Sequence, residues 1–172
     1  HHGTSSINAR AILKNGFNVS RGDMHYLGDG VYFYENNPKM AYEWCRGDGL
    51  LKKKYVDYAI LECDIHANKV LDLRRAEARD RFHNFRSSLM ENMPTRDFSI
   101  RAKQRHFDGY VFNALCKMEA YDAIINNTFS ASQEDRTLSV RSYVPNATEL
   151  CVKNAKVCII SIRISEEGKL NA

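Results

Sequence analysis

The sequence predicts an α+β fold, and three observations carry that expectation. Short runs with strand character recur along the chain, at Val31–Tyr34, Tyr55–Ile65, Tyr121–Ile125, Leu150–Val152 and Val157–Ile164. Stretches of helical period stand between them, from Ser6, from Pro38 and across residues 74–106. The chain has 172 residues, of which 44% are hydrophobic and 27% charged, enough to bury a core. No internal repeat or low-complexity linker divides it, so one domain over residues 1–172 is expected, many short strands with peripheral helices.

In chain order, an opening His1-His2 resembles the remnant of a purification tag, but Gly3-Thr4-Ser5 fits a strand end equally well. His2 is taken as native, with the earlier part of that strand expected before His1. From Ser6, the apolar Ile7, Ala11 and Ile12 fall at helical spacing, with Ser5 or Ser6 to cap the start and Gly16 to stop the end. Residues 18–26 have no periodicity; with Gly22 as a hinge they form either a lid over a ligand or a plain surface connection, with His25 and Tyr26 near the ligand or bystanders. Gly28-Asp29-Gly30 then pivots into Val31-Tyr32-Phe33-Tyr34. Glycines at that spacing let a ligand approach the main chain, although an ordinary turn before a half-buried strand has the same pattern.

Pro38 fits the first turn of a helix running to Arg46, which Gly47 and Gly49 should end. Tyr55–Ile65 reads as a central strand with both faces partly covered, and Asn68–Leu73 as a turn. Across 74–106, Phe82, Phe85, Leu89 and Met90 make an apolar stripe of one or two helices, broken at Pro94. Phe107–Phe112 is expected as a strand or as part of a helix reaching Met118. Leu138–Tyr143 is expected as a strand, with turns at Pro145-Asn146 and Lys153-Asn154.

Composition narrows the classes. The longest apolar runs fall far below the roughly 18–20 residues a membrane span needs, and no signal-peptide pattern is visible. Five cysteines form an odd set with no C-x-x-C and no zinc-like pairing with the six histidines. They read as reduced and mostly buried, with no metal, in a cytoplasmic protein. Net charge is +4, but basic residues cluster at Arg74, Arg75, Arg79, Arg81 and Arg86, and again at Arg96, Arg101, Lys103 and Arg105. Such density suits a polyanion, or equally a solvated helix face laced by Glu77, Asp80 and Glu91.

The ordered set His2-Gly3-Thr4, a helix ending in Asn15-Gly16-Phe17, Gly28-Asp29-Gly30-Val31-Tyr32-Phe33 and the late Thr148-Glu149-Leu150-Cys151-Val152 resembles the H-Y-E class of ADP-ribosyltransferases, the poly(ADP-ribose) polymerase and diphtheria-toxin-like catalytic domains. The resemblance spans most of the chain, though its sharp motifs cover about a quarter and residues 74–106 match none of them. It implies two packed, mostly antiparallel sheets forming a split β core, with residues 74–106 as a helical insertion. It implies NAD as co-substrate: His2 on the adenosine ribose, Gly3 clamping the nicotinamide amide through its peptide groups, Thr4 assisting at the ribose, and Tyr32 stacked on the nicotinamide. An aromatic of the next helix, Tyr42 or Trp44, would close the other face. Glu149 would hold the nicotinamide ribose and stabilise the positive charge that develops as the glycosidic bond breaks, with His2, Tyr32 and Glu149 forming the catalytic set.

The arginine-modifying branch would have Ser-Thr-Ser at the second strand and an acid two residues before the catalytic glutamate, where this chain has Tyr32 and Ala147. The expected activity is therefore mono-ADP-ribosyl transfer to a macromolecule, nucleic acid ahead of protein, with Arg74, Arg75 and Arg79 as acceptor-binding residues. A toxin or defence role would add an inhibitory, antitoxin-like partner. NAD hydrolysis, or an inactive module that binds NAD, ADP-ribose or RNA, are the alternatives.

Overall fold

The computed structural model describes residues 1–22, 25–92 and 104–170, apart from the side chains of residues 50, 51 and 104–106. It is an α+β protein with two mostly antiparallel sheets. The first has the order β1 (His2–Ser5), β3 (Asp57–Ile65), β7 (Ile159–Lys169). The second runs β2 (Val31–Tyr34), β6 (Ala147–Val152), β5 (Ala123–Thr128), β4 (Val70–Asp72), and only its β4–β5 pair is parallel.

Three apolar clusters fix how these sheets are covered. Between them lies a core of Phe17, Val31, Phe33, Ala59, Leu61 and Val152, closed at its sides by α1 (Ser6–Asn15) and α6 (Ala155–Cys158). The outer face of the first sheet packs on α2 (Pro38–Arg46) through Ala41, Cys45, Tyr58 and Ile60. The outer face of the second packs on α3 (Ala76–Glu91) and α4 (Gln104–Glu119) through Leu71, Phe82, Val111, Leu115 and Ile124. Tyr58, Ala59, Ile60 and Leu61 are buried in succession because β3 is central and covered on both sides.

Local chemistry sets the element ends. The Ser5 hydroxyl accepts from the Asn8 N–H at 3.2 Å to start α1, and Gly16, at φ 77°, ends it with its N–H on the Ile12 carbonyl. Asn37 caps α2 by accepting from the Met40 N–H, with Pro38 at its first position. A short α5 (Gln133–Leu138) carries a capping box between Ser132 and Asp135.

Of the two alternatives for Phe107–Phe112 the helix is the one formed: the segment lies in α4, which runs past Met118, since Phe107, Val111, Phe112, Leu115 and Cys116 make a buried stripe at helical spacing. Several other expectations fail for identifiable reasons. Residues 139–146 form no strand: Leu138, Tyr143 and Val144 are exposed, and β6 begins only at Ala147. Val157 falls in α6 rather than in β7. Val70–Asp72, expected within a turn, pairs with β5. α2 ends at Arg46 with Gly47 as its C-cap, as expected, but the chain continues from there as a π-helical turn over Gly47–Leu51 instead of leaving the helix. The Arg136 guanidinium packs over Gly47, so a Cβ there would displace the end of that side chain. Pro94, Arg96, Arg101 and Lys103 lie outside the described residues.

All five cysteines are free, and all but the half-buried Cys63 are buried. No helix among the described residues is long and apolar enough to cross a membrane.

Candidate functional site where two strands part

β1 and β2 share one pair of backbone hydrogen bonds and then part. His1 and Tyr34 exchange two backbone hydrogen bonds of 2.8 Å each, which joins the two sheets edge to edge. Continued as an antiparallel ladder, the next bonds would link Gly3 to Tyr32. They do not form, because the Tyr32 carbonyl instead accepts from Nδ1 of His2 at 2.8 Å. β1 pairs with β3 on its other side, from His2↔Leu61 to Ser5↔Tyr58. Peptide groups alternate in direction along a strand, so the Gly3 N–H and C=O point the same way as those of His1, into the gap between β1 and β2.

The two walls of this gap differ. A carbonyl only accepts, so His2 carries its proton on Nδ1. Burial lowers the imidazole pKa, so the ring is neutral and Nε2 is an acceptor. The ring lies edge-on to Phe17 at 5.1 Å and tilted against Phe33 at 5.7 Å, on the inter-sheet side. The Gly3 side of β1 is backed by α2: a Cβ there would lie 2.1 Å from the Ala41 carbonyl oxygen and 2.7 Å from Cys45 Sγ.

The opposite face of β2 and β6 carries the other residues. Tyr34 stands directly across from Glu149, and Tyr32 across from Cys151, so all four share one face. Asn126 of β5 flanks Glu149 from the other side. The Ser130 hydroxyl donates to Glu149 Oε1 at 3.2 Å and is also hydrogen-bonded to the Tyr34 hydroxyl at 3.2 Å. The Tyr26 hydroxyl is buried beside Glu149 without a hydrogen bond of ordinary geometry. Burial raises the Glu149 pKa, and the neighbouring hydroxyls of Tyr26, Ser130 and Tyr34 oppose that rise. Burial, with the nearby carboxylate adding to it, holds the Tyr26 and Tyr34 phenols well above their ordinary range.

Tyr32 is held rigidly. Its hydroxyl donates to the Gly28 carbonyl at 2.7 Å and accepts from the Leu27 N–H at 3.2 Å. Lys153 Nζ donates to the carbonyls of Leu27 at 2.5 Å and Asp29 at 2.8 Å, and Asn113 Oδ1 accepts from the Asp29 N–H at 2.7 Å. This accounts for Gly28-x-Gly30. A Cβ on Gly28 would meet Asn113 Oδ1 at 2.3 Å, and one on Gly30 would meet Cys151 Sγ at 2.4 Å. The glycines admit α4 and β6 to the main chain, where the sequence had suggested a ligand.

The sequence-derived residues thus gather unevenly. His2 and Gly3 lie along the gap next to Tyr32, with the imidazole on one side of β2, while the Tyr32 phenol and the Glu149 carboxylate share the other face of the β2–β6 pair. Thr4 follows Gly3 on β1, on the His2 face. Neither α2 aromatic faces Tyr32: Tyr42 packs edge-on to Tyr58 at 4.9 Å, and Trp44 is 48% exposed beneath Lys52. The ring over Tyr32 is that of His25, at 5.3 Å and 31°. The buried charged side chain of α2 is Glu43, which accepts from the Gln133 N–H and from Arg46. Tyr34 and Ser130 are additions; Tyr34 was open to inference, since residues two apart on a strand share a face.

The arginines expected to hold an acceptor are engaged within the chain. Arg74 forks onto Asp72 and reaches Glu35, Arg79 donates to the carbonyls of Leu73 and Arg74, and Arg75 lies 3.8 Å from Asp72 while staying mostly exposed. Arg81 pairs with Glu119 and Arg86 with Asp108. The acids that pair with these arginines are Asp72, Glu35, Glu119 and Asp108, and not the Glu77, Asp80 and Glu91 that the sequence offered.

No family model, no curated protein and no solved structure matches the chain.

Proposed function

We propose that this protein is an NAD-dependent mono-ADP-ribosyltransferase with an ADP-ribosyltransferase-type split β core. What supports the reading is the parting of β1 from β2 directly after the His1–Tyr34 bonds. The peptide groups of Gly3 then face a gap that has the neutral His2 on one side and Tyr32 with Glu149 on the other. A bent dinucleotide threading that gap would meet all four, which a ligand lying on one face would not.

In this reading the Gly3 N–H and C=O take the nicotinamide amide, and Tyr32, fixed through Gly28 and Leu27, presents its ring to the nicotinamide. Nε2 of His2 accepts from a ribose hydroxyl of the adenosine half. Glu149, when ionised, accepts from the nicotinamide ribose and offsets the positive charge that grows on its anomeric carbon as nicotinamide departs. The ribosyl carbon then bonds to a nucleophilic oxygen or nitrogen of a macromolecular acceptor, whose proton passes to solvent.

The test is incubation with NAD labelled in its adenine half, together with cellular RNA, DNA and protein. The expected outcome is nicotinamide release and label on one class of polymer. Release without label would make the protein an NAD glycohydrolase, and no release would remove the enzymatic reading.

A further inference from the structure

A second concave site lies on the far side of the Gly28–Gly30 loop. It is a cavity of about 350 Å³ between that loop and α4, with Arg21, Asp29, Asn113, Lys117, Tyr121 and Lys153 in its wall. Three elements supply its cations: the segment after Val19, the last turn of α4 and the residue after β6. Three positive side chains there face one carboxylate, that of Asp29.

The cations differ in how they are engaged. Lys153 is part-buried and directed at the loop carbonyls of Leu27 and Asp29. Arg21 and Lys117 are exposed and form no ion pair among the described residues. That contrasts with the arginines of α3 and the turn before it, whose charge is spent on Asp72, Glu35, Glu119 and Asp108.

We infer that this cavity binds a phosphate group. A guanidinium fork and a lysine ammonium reaching in from separate elements, over a fixed second ammonium, suit a dianionic tetrahedral group better than a planar carboxylate. The volume admits a pyrophosphate, and the mouth is open to a strand. The Tyr121 ring in its wall offers a flat surface on which a base can stack next to the phosphate. Small phosphates and a nucleic-acid backbone share this chemistry. The inference rests on the cavity alone and not on the reaction proposed above.

The test is equilibrium binding of inorganic pyrophosphate and, separately, of a single-stranded RNA octamer to the full chain. It compares the unmodified protein with R21E/K117E, with the milder R21Q/K117Q, and with K14E/K156E, which makes the same charge change at two exposed lysines elsewhere. The expected result is binding that falls at least about tenfold in R21E/K117E, falls less in R21Q/K117Q, and stays within about twofold in K14E/K156E. Octamer affinity well above that of pyrophosphate, with a salt slope of about −0.7 for each phosphate contacted, would identify a strand as the source. Comparable affinities would identify a small phosphate. Absence of binding to either ligand, or equal losses in R21E/K117E and K14E/K156E with circular dichroism unchanged, would overturn the inference.

Discussion

Tyr34 and Glu149 stand directly opposite each other on β2 and β6, and the Ser130 hydroxyl is hydrogen-bonded to both, at 3.2 Å in each case. Cross-strand neighbours on one face are the closest side chains a sheet offers. The carboxylate is therefore held by its own sheet and by the loop that precedes its strand. Those two supports set both its direction and its proton affinity.

The first prediction concerns pH. Burial pushes the Glu149 pKa up, while the Ser130 and Tyr34 hydroxyls pull it down. Removing either hydroxyl takes away a downward influence, so Ser130→Ala and Tyr34→Phe should move the acid limb of nicotinamide release to higher pH. The plateau rate above that limb should change less than the limb position. A limb unmoved in both variants would leave Ser130 and Tyr34 as packing only.

Glu149→Gln should slow nicotinamide release by about 10²–10³-fold, and it should also stabilise the fold. With a pKa higher in the folded than in the unfolded chain, Glu149 makes the folded state bind more protons between the two values. Stability then declines as pH rises through that interval and stays lower above it. Glutamine has no charge to bury, so thermal unfolding of Glu149→Gln should lie above that of the unmodified protein at pH 7–8, with the difference shrinking as pH falls from the raised value toward about pH 4.3, the ordinary glutamate pKa. A variant that is less stable at neutral pH would contradict the direction of the shift.

Gly3→Ala should destabilise by about 1–3 kcal/mol, the usual cost of overpacking. The obstacle is a backbone carbonyl, that of Ala41, at 2.1 Å from the added carbon, and α2 must shift to relieve it. Urea unfolding measures this, and an unchanged midpoint would mean that α2 yields freely.

Between the aromatic candidates, His25→Ala should weaken NAD binding by up to about tenfold, the scale of one ring contact. Trp44→Ala and Tyr42→Leu should leave it within about twofold, because their rings lie on the far sides of α2 and against Tyr58. Calorimetric titration of the three variants decides the matter. Loss in Trp44→Ala alone would require α2 to rotate on binding.

Much of the architecture was legible in the residues. Ser5, Gly16, Asn37 and Pro38 mark helix ends by chemistry that acts within one turn, and Tyr55–Ile65 reads as central from its apolar character alone. The ambiguities and failures share a different cause. Phe107–Phe112 reads as strand or helix, and the stripe continuing to Cys116 decides for the helix. Val70–Asp72 is three residues long and becomes a strand only because β5, some fifty residues later, lies beside it. Arg74 has a local partner in Asp72, but its second partner, Glu35, and the partner of Arg81, Glu119, lie tens of residues away, so no local charge pattern could name those two. At the candidate site, motif order brought out His2, Tyr32 and Glu149, while Ser130 sits in a loop without a pattern.

The loop between Ser130 and Asn146 is closed at its neck. Ser130 N–H donates to Asn146 Oδ1 at 2.8 Å, Asn146 Nδ2 donates to the Ser130 carbonyl at 2.9 Å, and the Asn146 N–H donates to the Thr128 carbonyl at 3.0 Å. An excursion clasped in this way behaves as an interchangeable cassette. Its distal residues, Tyr143 and Val144 among them, can be lengthened, trimmed or swapped while the clasp keeps the neighbouring carboxylate where it is. Under the proposed transferase activity, diversifying that segment alone would then be the way to select new acceptor preferences.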